Sequence, residues 1–73
     1  MDIPVYVVEK KYSHGMLYVR FSNGRVKSYD AIALGCEWLK MSNDAFYRLH
    51  GFSFNPHEFG LYEICRRKVY GNN

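Results

Sequence analysis

The stretch Leu17 to Asp30, LYVRFSNGRVKSYD, constrains the fold more than any other part of the chain. Asn23-Gly24 is a pair favoured by a type I′ turn, which needs positive φ at both central residues. Its flanks alternate as strands do, with Leu17, Val19 and Phe21 on one side and Tyr18, Arg20 and Ser22 on the other. A two-residue loop then sets the register. Ser22 faces Arg25, Phe21 faces Val26, Arg20 faces Lys27, Val19 faces Ser28 and Tyr18 faces Tyr29. One face, Leu17, Val19, Phe21 and Val26, belongs to a core. The other carries Tyr18, Tyr29, Arg20, Lys27 and Arg25. Arg20 and Lys27 repel when directly opposed, so this face is expected to be solvated, screened or met by an anionic partner.

The chain has 73 residues, which points to one domain over residues 1–73. A chain of this length buries only about 60% of its extended surface, so its stability is marginal. Thirteen aromatic residues (seven Tyr, five Phe, one Trp) add buried area to a small core, and a 48% hydrophobic content argues against disorder. The net charge of +3 suits an anionic partner without requiring one. The N-terminus, MDIPVYVVEKK, has no apolar core of the kind a secretory signal carries. No apolar run approaches the ~20 residues of a spanning helix. The expectation is a cytoplasmic chain with no membrane segment and with Cys36 and Cys65 as free thiols. Two cysteines do not make a disulfide framework, and a bridge between them stays open.

In chain order, residues 3–12 read as a first strand, with Pro4 tolerated at its start. Ser13-His14-Gly15 turns the chain into the central hairpin, which gives a three-stranded antiparallel meander. Residues 31–41, AIALGCEWLKM, read either as a helix capped by Asp30, with Leu34, Trp38 and Met41 on one face, or as an irregular apolar loop. Gly35 weakens the helix reading by about 1 kcal/mol. Ser42 or Asn43 caps a better helix, Gly51 ends it, and Phe46 and Leu49 dock it on the sheet. The segment FSFN from Phe52 to Asn55 reads as a short strand. Asn55-Pro56 to Gly60 turns, and LYEICRR from Leu61 to Arg67 reads as the last strand, followed by a fraying tail. The fold class is therefore α+β: a small antiparallel sheet with a three-stranded meander, one or two short helices on one face, and a terminal β-hairpin. The expected core is Leu17, Val19, Phe21, Val26, Phe46 and Leu49 with one of Phe52, Phe54 or Ile64.

With those elements placed, the chain resembles a family of small bacterial proteins known as domain of unknown function 2442. The matching positions are Phe21, Asn23, Gly24, Asp30, Leu39, Phe46, Phe54, Gly60 and Ile64. Where that family usually has a Trp soon after the Gly, this chain has Tyr62-Glu63-Ile64-Cys65, and it is basic where the family is often acid-rich. The resemblance implies a small α+β module with no known reaction, often encoded beside short toxin-like neighbours.

No catalytic signature is present: there is no G-x-S-x-G, H-E-x-x-H, P-loop or G-x-G-x-x-G. The carboxylates are dispersed, with no spacing that forces two together. Cys36, His50, His57 and Cys65 lack the tight pairing of zinc ligands and read as two packing thiols and two surface imidazoles. Cys65 precedes Arg66-Arg67-Lys68, which would activate an exposed thiol, but a core-facing thiol is the stronger reading. No enzyme activity, cofactor or metal is expected. The candidate binding surface is the basic–aromatic hairpin face of Tyr18, Arg20, Arg25, Lys27 and Tyr29, extended by Arg66, Arg67 and Lys68 if the last strand lies alongside. Its expected partner is a protein, which makes the chain an inhibitor, an antitoxin-like half of a pair or a phage-type host modulator. The alternative is single-stranded nucleic acid, with tyrosines stacking on bases and cations meeting phosphates. A homodimer also stays open.

Overall fold

The computed structural model describes residues 4–71 and has an α+β fold. Three antiparallel strands, β1 (Val7–Ser13), β2 (Met16–Phe21) and β3 (Val26–Asp30), form a sheet in sequence order. Three helices follow, α1 (Ala31–Lys40), α2 (Asn43–His50) and α3 (Tyr62–Tyr70), with a 3₁₀ turn at Pro56–Phe59 before the last. The expected first strand begins later than residue 3. Pro4 to Tyr6 lie outside it, and Ile3 lies outside the described residues.

Both hairpin turns are explained by glycine, but not as the sequence suggested. The pair with positive φ at both positions is His14-Gly15, at 50° and 81°, which is the I′ signature. At the central hairpin only Gly24 is left-handed, with φ 89°. Its N–H donates to the Phe21 carbonyl at 2.9 Å, and the Phe21 N–H donates to the Arg25 carbonyl at 2.8 Å. This is a three-residue loop with a glycine bulge, the other turn that an Asn-Gly pair serves. The Asn23 side-chain oxygen accepts the Arg25 N–H at 3.0 Å, which holds that geometry.

The extra loop residue shifts the register by one, and a shift of one turns every β3 side chain to the other face. Val19 faces Lys27, Leu17 faces Tyr29, Tyr18 faces Ser28 and Arg20 faces Val26. Val26 is therefore 59% exposed instead of buried, and Tyr29 turns inward and is half-buried.

Asp30 ends β3 and caps α1, its carboxylate accepting the N–H groups of Ile32 and Ala33, so residues 31–40 are helix and not loop. Gly35 lies where α1 meets α3: a Cβ there would collide with the Cys65 Sγ. The residue that seemed to weaken the helix is what lets the two helices approach. In α2, Ser42 is the cap, its hydroxyl accepting the Ala45 N–H at 3.1 Å, and Gly51 ends the helix at φ 82°. The inward face of α2 is Phe46 and His50, an i, i+4 pair. Leu49 lies off that face and is 60% exposed, which corrects its place in the expected core.

The segment after α2 is not a strand, although Phe52 and Phe54 both point into the core. The expected terminal hairpin is replaced by α3. The alternation of Tyr62, Ile64 and Arg66 suggested a strand. The buried residues are Leu61 and Cys65, with Val69 half-buried, spaced four apart as on a helix. Ile64 faces outward, and Lys68 to Tyr70 continue the helix, while Asn72 and Asn73 lie outside the described residues. The core comprises Leu17, Val19, Phe21, Ala31, Leu34, Phe46, Phe52, Phe54, Leu61 and Cys65, all on the inner side of the sheet.

Candidate functional site

The register decides what the sheet presents. Its outer face carries Glu9 and Lys11 from β1, Tyr18 and Arg20 from β2, and Val26 and Ser28 from β3, and all are exposed. The β1 strand bulges between Val7 and Glu9, so Val8 joins this face, at 44% exposure. Tyr6 extends its edge by exchanging hydrogen bonds with Ser22. Among the described residues no helix packs on this side. The result is a face where Tyr6, Val8, Tyr18 and Val26 leave apolar surface in water.

The predicted basic–aromatic cluster is divided. Tyr18 and Arg20 stand on the outer face, whereas Lys27 and Tyr29 belong to the inner side, and Arg25 lies in the exposed loop before β3. Arg20 does not oppose Lys27. Its guanidinium donates to the Glu9 carboxylate at 2.9 Å, across the β1–β2 pairing. That pair is half exposed at both ends and contributes at most about 1 kcal/mol, but it neutralises the outer face of β2. The Lys27 ammonium lies 6.0 Å from the Phe21 ring centroid. Arg66 and Arg67 are on α3, away from the strands. Arg66 pairs with Glu63 one turn back at 3.5 Å, and both arginines border a shallow hollow with Tyr70 and Gly71.

Tyr29 and Lys68 come together elsewhere, in a groove of about 990 Å³ along α1. His50 lines it too. It is not a surface imidazole: its ring packs at 4.5 Å from Phe46, 5.6 Å from Tyr29 and 5.9 Å from Phe52. Its Nε2 lies 2.7 Å from the Glu37 carboxylate, which ties α2 to α1. Burial raises the Tyr29 phenol above its usual pKa, and the Glu37 charge adds to the effect. No spacing rule foretold the Glu37–His50 pair, which joins two helices across a sharp turn.

The thiols do meet. Cys65 is fully buried and its Sγ lies 3.6 Å from the Ile32 carbonyl, while the Cys36 Sγ lies 3.9 Å from the Cys65 carbonyl. Burial pushes the Cys65 thiol up, with smaller contributions from the charge and hydrogen bond of Cys36, so Cys65 is a packing residue and not an activated nucleophile. His57 stacks on Tyr62, with the ring centroids 4.0 Å apart. Among the described residues no group of three or more His, Cys, Asp or Glu side chains is arranged to hold a metal ion. Among them, too, no helix is long and apolar enough to cross a membrane.

In comparisons with known proteins, no family model, no curated protein and no solved structure matches the chain.

Proposed function

We propose that this protein is a non-catalytic interaction module that binds a partner protein through the open outer face of its sheet. The observation that carries this reading is the exposure of Tyr18, Val26 and Val8 together on a face that, among the described residues, no helix covers, where Arg20 is already neutralised by Glu9. Aromatic and aliphatic anchors inside a rim of mixed charge suit a protein interface, in which a few residues carry most of the energy. The resemblance to the 2442 family supports the same class: an inhibitor, an antitoxin-like partner or a phage-type host modulator, working in the cytoplasm. The division of the cluster counts against nucleic acid. Tyr18 and Tyr29 form no common stacking platform, and Arg20 and Lys27 do not line one phosphate track.

The test is capture of the tagged protein from its host, followed by titration of the identified partner with wild type, Tyr18→Ala, Val26→Asp and Lys27→Glu. Tyr18→Ala and Val26→Asp should each weaken binding by ~2 kcal/mol or more, while Lys27→Glu, on the other side of the sheet, should not. Single-stranded RNA and DNA are titrated in parallel at two salt concentrations. A steep salt dependence that Tyr18→Ala abolishes would replace this reading with the nucleic-acid one. Sedimentation equilibrium separates out a homodimer built on the same face.

A further inference from the structure

The groove along α1 lies on the other side of the molecule from the open sheet face and is built differently. Its apolar lining includes Ile32, Ala33 and Cys36 of α1, and Tyr29 of β3 and Lys68 of α3 border it as well. From Ile32 to Lys40 the helix runs about 12 Å, the length of a medium-chain acyl tail. The groove's volume of about 990 Å³ is on the scale of small-ligand sites.

Its charges are unequal in their freedom. The Glu37 carboxylate is engaged by His50 at 2.7 Å, and the Asp30 carboxylate by the amides of Ile32 and Ala33 at 3.1 and 3.3 Å. Among the described residues, Lys40 and Lys68 have no carboxylate within ion-pair distance. An apolar lining with two unpaired ammonium groups complements a molecule with an apolar body and an anionic head. We propose that this groove binds a small organic anion of the medium-chain carboxylate class, its tail along Ile32, Ala33 and Cys36 and its carboxylate between Lys40 and Lys68. The anion is matched by charge-assisted hydrogen bonds, and the tail by removal of apolar surface from water. This inference does not depend on the outer-face reading, and its test does not touch that face.

The experiment is titration of the full chain with decanoate, and separately with decanol, followed by amide chemical shifts. Decanoate should give saturable shifts at Ile32, Ala33, Cys36 and Lys40 and bind at least about tenfold more tightly than decanol. The double variant Lys40→Glu, Lys68→Glu should lose about tenfold or more in affinity, while Arg48→Glu, Arg67→Glu, an equal charge change at exposed positions outside the groove, should not. Both lysines are exposed, so circular dichroism should be unchanged. The comparison of decanoate with decanol in the wild type needs no variant. Equal affinity for the two probes would overturn the proposal, as would full affinity in the double variant or shifts confined to Tyr18 and Val26. So would the absence of saturable decanoate binding, and saturable binding of an acidic amphipathic peptide in its place would make the groove a peptide surface.

Discussion

The two faces of the sheet share one backbone and one register, yet only one is a core. On the inner face the cross-strand rows are Lys10–Val19–Lys27 and Tyr12–Leu17–Tyr29. Each has an aliphatic centre from β2 and longer side chains with polar ends from the edge strands. On the outer face the rows are Glu9–Arg20–Val26 and Lys11–Tyr18–Ser28, with a charge or an aromatic at the centre. Above the inner face lie Phe46, Phe52 and Phe54, with Phe46 5.9 Å from Phe52 and 6.0 Å from Phe54. Above the outer face no helix packs among the described residues, and its side chains are exposed. The central strand decides which side becomes core, and the edges adapt to it. Lys10 sends its ammonium out to the Ser53 carbonyl at 3.0 Å, and the exposed Lys27 sets its ammonium 6.0 Å from the Phe21 ring centroid, so each keeps its charge solvated or paired.

The difference between the faces is breakable by truncation. Phe46 is 1% exposed and touches three aromatic neighbours, so Phe46→Ala should cost ~3–5 kcal/mol, close to the whole stability of a domain of this size. Tyr18→Ala on the outer face should stay within about 0.5 kcal/mol of wild type. Urea unfolding of both variants measures the contrast, and equal losses would mean that the outer face is packed too. The next largest effect is expected at the seam between α1 and α3. Gly35→Ala gains helix propensity of about 1 kcal/mol but drives a methyl into the Cys65 Sγ. The net result should be a loss of ~1–3 kcal/mol that shrinks in a Cys65→Ala background. A stabilised Gly35→Ala variant would show that the seam has room.

What the sequence revealed follows the range of each interaction. Capping is local, so Asp30, Ser42 and Gly51 were readable where they act. The apolar alternation of Leu17, Val19 and Phe21 is likewise local, and these residues are core. Register was not readable, because Asn-Gly serves two turns and the three-residue form is seen only in its bonds, including the one the Arg25 N–H donates to the Asn23 side chain. That single residue moved Val26 out, brought Tyr29 in, and divided the anticipated binding cluster. The last helix was misread because Tyr62, Ile64 and Arg66 imitate a strand, while its true stripe, Leu61 and Cys65 with Val69, is only nine residues long. The groove could not be read at all. Its parts come from β3 and three helices, and the Glu37–His50 bond exists only once α2 has docked.

A smaller effect is expected at the sheet edges. Inward-pointing charges on edge strands oppose the addition of further strands, and Lys10 and Lys27 occupy those positions on both edges. Lys10→Val with Lys27→Val should change monomer stability by less than about 1 kcal/mol while promoting concentration-dependent self-association. Sedimentation velocity over a range of concentrations reads this out. A double variant that stays as monodisperse as wild type would mean that the two lysines do not protect the edges.

The smallest effect concerns alkaline pH, and it separates the inner face from the outer without altering the packed shape. Tyr29 has a raised phenol pKa, first through burial and then through the charge of Glu37. The folded state therefore holds this proton to higher pH than the unfolded chain does. The contribution to stability is complete below the ordinary phenol value of about 10 and is lost as pH rises through the folded value. Cys65 acts in the same direction from a lower starting point, because its thiol is raised by burial and then by Cys36, and ordinary thiols titrate near about 8.5. Stability should thus fall on the alkaline side in two overlapping stages, the thiol first and the phenol second. Tyr29→Phe keeps the ring against His50 and Phe52 but removes the proton, so the later stage should flatten while the earlier one remains. Urea midpoints of wild type and Tyr29→Phe, compared at about pH 8 and again above about pH 10, test this. If the two profiles stay parallel throughout, the phenol is as free as a solvent-facing one, and Tyr29 does not belong to the inner side.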